Sequence, residues 1–501
     1  MTAEDRAKVD EVPDRDAPSA MLLAVRNALK LGGSLIFTWG IALGMRLLVP
    51  RYLGPTRFGT LSFADGFTTA AFIILNLGQE QYIRKEVAVR PSHATDFFGG
   101  VFALRLCMTV IVFAAMALVM RLTERSTEVA GVVFIYGAAQ FFVTANATFS
   151  AMLHAKGNVG AMSVLAVATK VVWAGGSLAA MATSAGLWAY GASYLASEAI
   201  ETVVLAQLAR THLGLKFQID RAATGAMLLA SLPYYLQMFA STAYGKLDIS
   251  LLEFTGNTQE VGYYGAASAL SMLTLLITPL SGWVLMPMLA RAASRSRPEF
   301  FEQIRRSLEL ILTVAIPASM MINLGAEFWI RLVFGATFMP AALALRIQAT
   351  MFVLTYVAII YSIVLIMLDR PWALTKISIV GLGVNVALNL ALIHPSMRTF
   401  GVGGGGAGCA LAMLGTEIVV ASIMIGIVGR EAFDRRSVVM VGKSLAAFGV
   451  VVLVHRALES IGALRLVVDG LVYLVLVIAT GALRVREMLA IAKQAVRSRS
   501  Q

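Results

Sequence analysis

Long apolar segments follow one another along almost the whole chain, and they constrain its fold more than any other feature. About fourteen of them reach roughly 20 residues, the length that an α-helix needs to cross the hydrocarbon core of a bilayer. Charged residues make up only 14% of the chain, too few to cover the surface of a soluble domain. The sequence therefore predicts an all-α, polytopic membrane protein with about fourteen transmembrane helices.

The basic residues lie in short clusters between the apolar segments. The formal net charge is +12, but no continuous basic face is formed, so a nucleic-acid partner is not expected. Basic residues are about twice as frequent in the loops on one side as on the other, which by the positive-inside rule places both termini in the cytoplasm. Residues 1–27 then form a polar cytoplasmic tail, and residues 484–501 form a basic one.

The first two apolar segments are joined by the stretch RLLVPRYLGPTRFGTLSFADG, which turns at Gly54 and Pro55 and predicts a transmembrane hairpin. A related passage, DISLLEFTGNTQEVGYYGAAS, occurs about 203 residues later, and its Gly256 and Gly262 match Gly54 and Gly59. The match indicates an internal duplication of the chain.

The duplication predicts two six-helix bundles, over residues 28–215 and 216–430. Because each bundle has an even number of helices, both enter the membrane in the same direction, and their pseudo-twofold axis runs along the membrane normal. Substrate is expected between the bundles. Two additional helices within residues 431–483 lie outside the repeat, where they face lipid or guard a lateral opening.

Charged residues inside the predicted transmembrane helices are the candidate functional residues, because an ionisable group is costly there. The cations, which would bind anionic groups of a substrate in a cavity, are Arg46, Arg105, Lys170, Lys246 and Arg346. The acids, which would form a gate or bind a coupling ion, are Asp65, Glu198, Glu201, Asp248 and Glu417.

Arg46 and Asp248 occupy equivalent positions in the predicted repeat. This gives the hypothesis that the two form an ion pair, together with Asp65, that closes the outward side. A structural alternative stands beside it, since Arg46 and Asp65 lie near helix ends and could pair with each other or reach the interface.

Glu198 and Glu201 are three residues apart and share one face of a helix. They could take up a proton or a coupling cation, or they could be hydrogen-bonded carboxyl groups that only stabilise the bundle. Lys170, on the preceding helix at similar depth, is an available partner for them.

Two passages resemble the Wzx-type polysaccharide flippases of the multidrug/oligosaccharidyl-lipid/polysaccharide exporter superfamily. They are the hairpin RYLGPTRFGTLSFADG with its LGP-x-x-FG core, and the passage LDISLLEFTGNTQEVGYYGAASAL, which is followed by a proline-containing helix that ends in PLSGWVLMPMLAR. The resemblance extends over nearly the whole chain. It implies a transporter that moves undecaprenyl-pyrophosphate-linked sugar units from the inner to the outer leaflet of the bacterial inner membrane.

For such a substrate, Arg46 and Arg105 are the first choices for the pyrophosphate site, because a guanidinium binds phosphate in a bidentate manner. The five histidines are scattered without the spacing of metal ligands, so no metal is expected, and no cofactor is expected beyond a coupling H+ or Na+. The resemblance implies as partners the lipid-linked oligosaccharide, membrane lipids and the polymerase or assembly proteins of O-antigen, lipopolysaccharide or exopolysaccharide synthesis.

Two other classes of function are alternatives. Relatives of these flippases include cation-coupled multidrug antiporters, for which membrane-embedded acids would matter more than arginines, and a flippase for peptidoglycan precursors. A membrane glycosyltransferase or polymerase would need a long extramembrane loop with acidic catalytic residues, whereas the outer loops here are short. We therefore expect a transporter and not an enzyme.

Overall fold

The computed structural model describes residues 17–78, 83, 93–155, 159–215, 217–275, 278, 285–432 and 435–481. Within these residues the regular elements are all helices, as predicted for an all-α protein. The α-helices are α1 (Ala17–Phe72), α2 (His93–Leu122), α3 (Thr127–Ala155), α4 (Val159–Ala182), α5 (Leu187–Leu213), α6 (Arg221–Thr255), α7 (Thr258–Ser271), α8 (Met286–Arg295), α9 (Arg297–Leu324), α10 (Ala326–Val333), α11 (Ala341–Met367), α12 (Pro371–Phe400), α13 (Gly404–Val428), α14 (Arg435–Ala457) and α15 (Arg465–Ala479).

Ten helical stretches in the described part of the chain are long and apolar enough to cross a membrane. One of them, Ile36–Leu75, has 40 residues, about twice the length that a single crossing needs. Large apolar side chains such as Val110 and Ile111 remain exposed on these helices, which suits a surface in contact with lipid. The chain is therefore a polytopic membrane protein, and the number of fourteen crossings stays a prediction.

The predicted turn of the first hairpin is where the helical path of α1 breaks. Gly54 has φ 74° and ψ 172°, a conformation that residues with a Cβ rarely adopt, and Pro55 is tolerated because it begins the next helical turn. At its other end α1 begins at Ala17, inside the predicted polar tail of residues 1–27. Pro18 in the first turn and the alanine, methionine and leucine residues after it favour this earlier start.

The described helices group into two compact units. The first contains Met1–Met45, Glu80–Cys107 and Ala138–Met227, and within it α4 packs along α5. The second contains Arg46–Gln79, Met108–Gly137 and Leu228–Gln501.

In the second unit, α11 is the central helix, since it packs against α7, α9 and α13. The appended helices α14 and α15 pack against each other and against α9. The bundle boundaries proposed from the sequence stay a prediction.

The matched glycines of the repeat allow two helix backbones to touch. A Cβ on Gly59 would lie 1.9 Å from the carbonyl oxygen of Thr258, and a Cβ on Gly262 would lie 1.9 Å from that of Pro55. Each glycine thus touches the backbone of the segment that carries the other, so the contact is made in both directions, as at a twofold interface. The duplication itself stays a prediction.

Candidate functional site

A second reciprocal contact lies next to these glycines. Arg51 and Glu253 each lie three residues before the matched turn glycines, so they are equivalent in the repeat. Arg51 donates from Nη1 to the main-chain oxygens of Leu332 and Val333 at the end of α10, at 3.1 and 3.4 Å. Glu253 accepts from Arg125 in the connection between α2 and α3. Arg51 and Arg125, both in the first half of the chain, therefore each hold a helix end in the second half.

The Arg125–Glu253 contact is an ion pair with several supports. Arg125 Nη1 lies 2.5 Å from Glu253 Oε1, and Nη2 donates to the Glu253 main-chain oxygen at 3.1 Å. Thr258 donates its hydroxyl to the same carboxylate at 2.8 Å. The guanidinium lies over the rings of Phe63 and Phe254, with centroids at 5.7 and 5.4 Å. Because the Glu253 side chain is only 1% exposed, loss of the arginine would leave a buried charge without its counterion.

Lys246 and Asp65 form a second ion pair, between α6 and the second part of α1. Lys246 Nζ lies 3.4 Å from Asp65 Oδ2, and the two side chains are 32% and 45% exposed. Both residues were predicted as functional charges, one as a cation and one as an acid. Because the pair is partly exposed on apolar helices, its charges are accessible to another ionic group.

The structure does not bring Arg46 and Asp248 together. Arg46 is exposed, and its Nη1 lies 3.0 Å from the sulfur of Met272. Asp248 is 2% exposed and accepts from the Tyr264 hydroxyl and from the main-chain N–H of Ile249. The Asp248 carboxylate thus points to α7, and Asp65, the third residue of the hypothetical gate, pairs with a lysine instead.

A polar cluster in the first unit contains three more of the predicted residues. Glu198 Oε2 accepts from Asn146 at 3.0 Å, and its Oε1 lies 3.6 Å from Nζ of Lys170, the partner proposed from the sequence. Glu201 accepts from the Thr169 hydroxyl at 3.1 Å. The cluster links α3, α4 and α5 through side chains that apolar helices rarely carry.

Arg105 is held in a tight interface between α2 and α3. It is 3% exposed and donates from Nη1 to the Thr144 main-chain oxygen at 2.9 Å and to the Thr148 hydroxyl at 2.5 Å. The cavity beside it measures about 10 Å³, which is space for about one water molecule and not for a phosphate group.

The remaining predicted residues, Arg346 and Glu417, lie in the second unit. Arg346 donates from Nη2 to Glu327 Oε1 at 2.7 Å. Glu417 is buried within α13, and its Oε2 has no hydrogen-bond partner among the described residues. In the part of the chain that the structure describes, no three histidine, cysteine or carboxylate side chains cluster as metal ligands would.

Comparison with known families decides the identity of the chain. The sequence model of the family described as polysaccharide biosynthesis proteins matches residues 24–293, more than half of the chain. The chain belongs to this family.

Solved transporter structures share the fold of this polysaccharide biosynthesis protein. The lipid II flippase MurJ in an inward closed conformation superposes with a TM-score of 0.62 at 14% identity, covering 87% of this chain and 98% of that one. An inward-facing multidrug resistance MATE family transporter of the MOP superfamily superposes with a TM-score of 0.57 at 15% sequence identity, covering 77% of this chain and 92% of the transporter. The Vibrio cholerae MATE transporter VcmN in the bent form superposes with a TM-score of 0.51 at 13% sequence identity, covering 81% of this chain and 99% of VcmN. None of the curated proteins compared with the chain matches it.

Sequence reasoning missed Glu260, which organises a helix terminus in this family member. Its buried carboxylate accepts from the main-chain N–H groups of Gly403 and Gly406 at 2.6 and 3.1 Å, at the start of α13. A carboxylate is stabilised at this end of a helix. The glycine run from 403 to 406 was a usable signal, because Gly403 has φ +86° and a Cβ there would lie 2.3 Å from the Pro340 oxygen. The run therefore permits close approach of backbones.

Proposed function

We propose that this polysaccharide biosynthesis protein is a flippase for undecaprenyl-pyrophosphate-linked oligosaccharides. It moves them from the inner to the outer leaflet of the bacterial inner membrane, with both termini in the cytoplasm, for synthesis of a surface polysaccharide. Its family and the fold it shares with a lipid II flippase support a lipid-linked substrate. The same proteins are transporters by name, which supports transport rather than catalysis.

The observation that carries the proposal is the environment of Arg46. The residue lies on a helical stretch apolar enough to cross the membrane, and its guanidinium is exposed. Its partner among the described residues is the thioether of Met272, a weak acceptor. A phosphate would offer the guanidinium two charged oxygens in its place, at the favourable geometry of a bidentate bond. Arg46 is therefore the residue that we assign to the pyrophosphate.

The reciprocal contacts of Arg51 and Arg125 define the gate in this proposal. Both join the two halves of the duplicated chain at the end that the sequence predicts to face outward. With these contacts formed, that end is closed, and release of substrate to the outer leaflet requires both to break. Lys246 and Asp65 lie on α6 and α1, the helices that also carry Glu253 and Arg51. During the change, Lys246 exchanges Asp65 for substrate phosphate.

A cation-coupled drug antiporter is the second candidate, because Glu417 has a buried carboxylate oxygen without a partner among the described residues. Such a group suits uptake of a proton or Na+, and the fold is shared with multidrug transporters. In the flippase, Glu417 would couple the same ion to lipid movement. The two candidates therefore differ in the substrate and not in the role of this acid.

Transport in proteoliposomes tests the proposal. Wild type, Arg46→Gln and the control Arg398→Gln, which removes an exposed arginine at the end of α12, are compared with empty vesicles. A fluorescent undecaprenyl-pyrophosphate oligosaccharide reports the leaflet. We expect wild type and control to move the lipid and Arg46→Gln to be slower by about tenfold, the effect of about 1.4 kcal/mol of lost binding. If vesicles with wild type move the lipid no faster than empty vesicles but transport ethidium under an ion gradient, the antiporter is favoured.

A further inference from the structure

A cavity of about 290 Å³ lies where α9, α10 and α11 meet the appended helices. One wall is formed by α10 and the first residues of α11, and the other by the 3₁₀ turn Glu459–Leu464 and the start of α15. By the predicted topology, both walls lie at the outward end of the protein, at the surface of the membrane. The cavity is thus the place where the repeat meets the two helices that the repeat does not explain.

Three arginines and one acid supply the charge of this cavity. The Arg346 guanidinium is fixed by Glu327 at 2.7 Å, and Asn323 donates to the Arg346 main-chain oxygen at 2.9 Å. Arg331 and Arg465 also line the cavity, and neither guanidinium has a hydrogen-bond or ion-pair partner among the described residues. Three positive charges therefore face one negative charge, and two of them have no acidic partner in the part of the chain that the structure describes.

This arrangement matches the chemistry of a phosphate group. Guanidinium groups bind phosphate oxygens in pairs, and the positive end of the α15 helix dipole lies beside Arg465. The volume is just below the range of about 300–1,000 Å³ that drug-sized ligands occupy, so it suits a head group and not a whole lipid. The apolar exposed face of α15, including Val467 and Leu471, would accompany the hydrocarbon chains.

We propose that this cavity binds the phosphate group of a membrane lipid at the outward end of the protein. Two lipids present that chemistry there: the pyrophosphate of a polyprenyl-linked substrate after transfer, and the phosphate of a bulk anionic phospholipid. The first source and the outward position rest on the proposed flippase function. The site gives the appended helices α14 and α15 a role, since they hold one wall of it.

Binding to purified full-length protein in detergent tests the site. The probes are farnesyl pyrophosphate and dioleoylphosphatidylglycerol, and the variant is Arg331→Gln with Arg465→Gln. The matched control, Arg121→Gln with Arg398→Gln, removes two exposed arginines outside the cavity. We expect the variant to bind the preferred probe about tenfold more weakly, and the control to bind it within about twofold of wild type, because only the cavity arginines contact the phosphate.

The preferred probe identifies the source: farnesyl pyrophosphate indicates the transported lipid, and phosphatidylglycerol indicates bulk lipid. A wild-type protein that binds neither, or a cavity variant that binds both as tightly as wild type, overturns the site. Lipid movement is measured on the same preparations. If wild type moves the oligosaccharide lipid but the cavity variant binds the probe as tightly as wild type, this site alone is refuted. If the cavity variant loses binding but wild type moves no oligosaccharide lipid, the flippase proposal alone is refuted.

Discussion

Arg125 and Glu253 form an ion pair at 2.5 Å that joins a short connection in the first half of the chain to the end of a long helix in the second. Its counterpart in the repeat is the contact of Arg51 with the end of α10. Two equivalent helix ends are thus held by two different chemistries, a carboxylate in one half and a guanidinium in the other.

Removal of the Glu253 charge is expected to open the outward end. Glu253→Gln keeps the shape of the side chain but replaces its ion pair with Arg125 by a weaker bond from the guanidinium to a neutral amide, which favours the open state. The opening is measured in a protein in which Cys107 and Cys409 are replaced and Ser62→Cys supplies the one cysteine. A membrane-impermeant maleimide added outside labels this cysteine when the outward end opens. Ser62 faces Gly265 on the other half of the repeat. We expect labelling to be about tenfold faster than in the protein with native Glu253.

The control for this prediction is Glu431→Gln. Glu431 pairs with Arg297 at 3.0 Å, but both side chains are exposed, so the pair contributes little. Its loss is expected to leave the labelling rate unchanged. If the cysteine in place of Ser62 is labelled at the same rate with Glu253→Gln as with native Glu253, the buried pair does not close this end.

Close contact at the repeat interface predicts different effects of alanine at two glycines. Gly59→Ala places a methyl group 1.9 Å from a main-chain oxygen, and such overpacking destabilises by about 1–3 kcal/mol. Gly44→Ala is the control, because a Cβ there meets nothing within 4 Å. We expect a lower melting temperature for Gly59→Ala in detergent, and an unchanged or slightly higher one for Gly44→Ala. A Gly59→Ala protein as stable as wild type would contradict the tight interface.

The Lys246–Asp65 pair is expected to matter for transport more than for stability. Lys246→Gln should lower the rate of lipid movement about tenfold while the melting temperature stays near that of wild type, since a partly exposed pair contributes only about 0–1 kcal/mol. Exchange of the two charges, Lys246→Asp with Asp65→Lys, should recover part of the rate. If the exchanged protein is no faster than either single variant, the two residues do not act as a pair.

Glu417 is expected to link transport to an ion. Glu417→Gln retains the size of the buried side chain but cannot take up or release a proton or bind Na+ as the carboxylate does. We expect the variant to fold and to lose the dependence of its transport rate on an imposed H+ or Na+ gradient, whichever one drives wild type. Glu302→Gln, at an exposed residue of α9, is the matched control. A gradient dependence that persists in Glu417→Gln would assign coupling to another acid.

The sequence predicted features that depend on local chemistry or on the repeat. The break at Gly54 followed from a glycine before a proline, and two helices touch at the glycines whose spacing predicted the repeat. The Lys170–Glu198 contact followed from similar depth on consecutive helices.

Features that depend on the rotation of a helix could not be predicted. Helices that are apolar all round give almost no periodic signal, so the face on which Asp248 or Arg46 lies is hidden in the sequence. For the same reason the partners Arg125 and Glu253, which are far apart in the chain and unremarkable in spacing, were not recognised.

The most direct test is lipid movement by a protein whose two halves can be locked together. A Cβ on Gly265 would lie 3.3 Å from that of Ser62, close to the spacing of a disulfide, so Ser62→Cys with Gly265→Cys should form one. In proteoliposomes we expect the oxidised pair to move no oligosaccharide lipid, the reduced pair to move it, and each single variant to be insensitive to oxidation. Oxidised protein that forms the disulfide and moves the lipid as fast as reduced protein would contradict a flippase that works by opening this end.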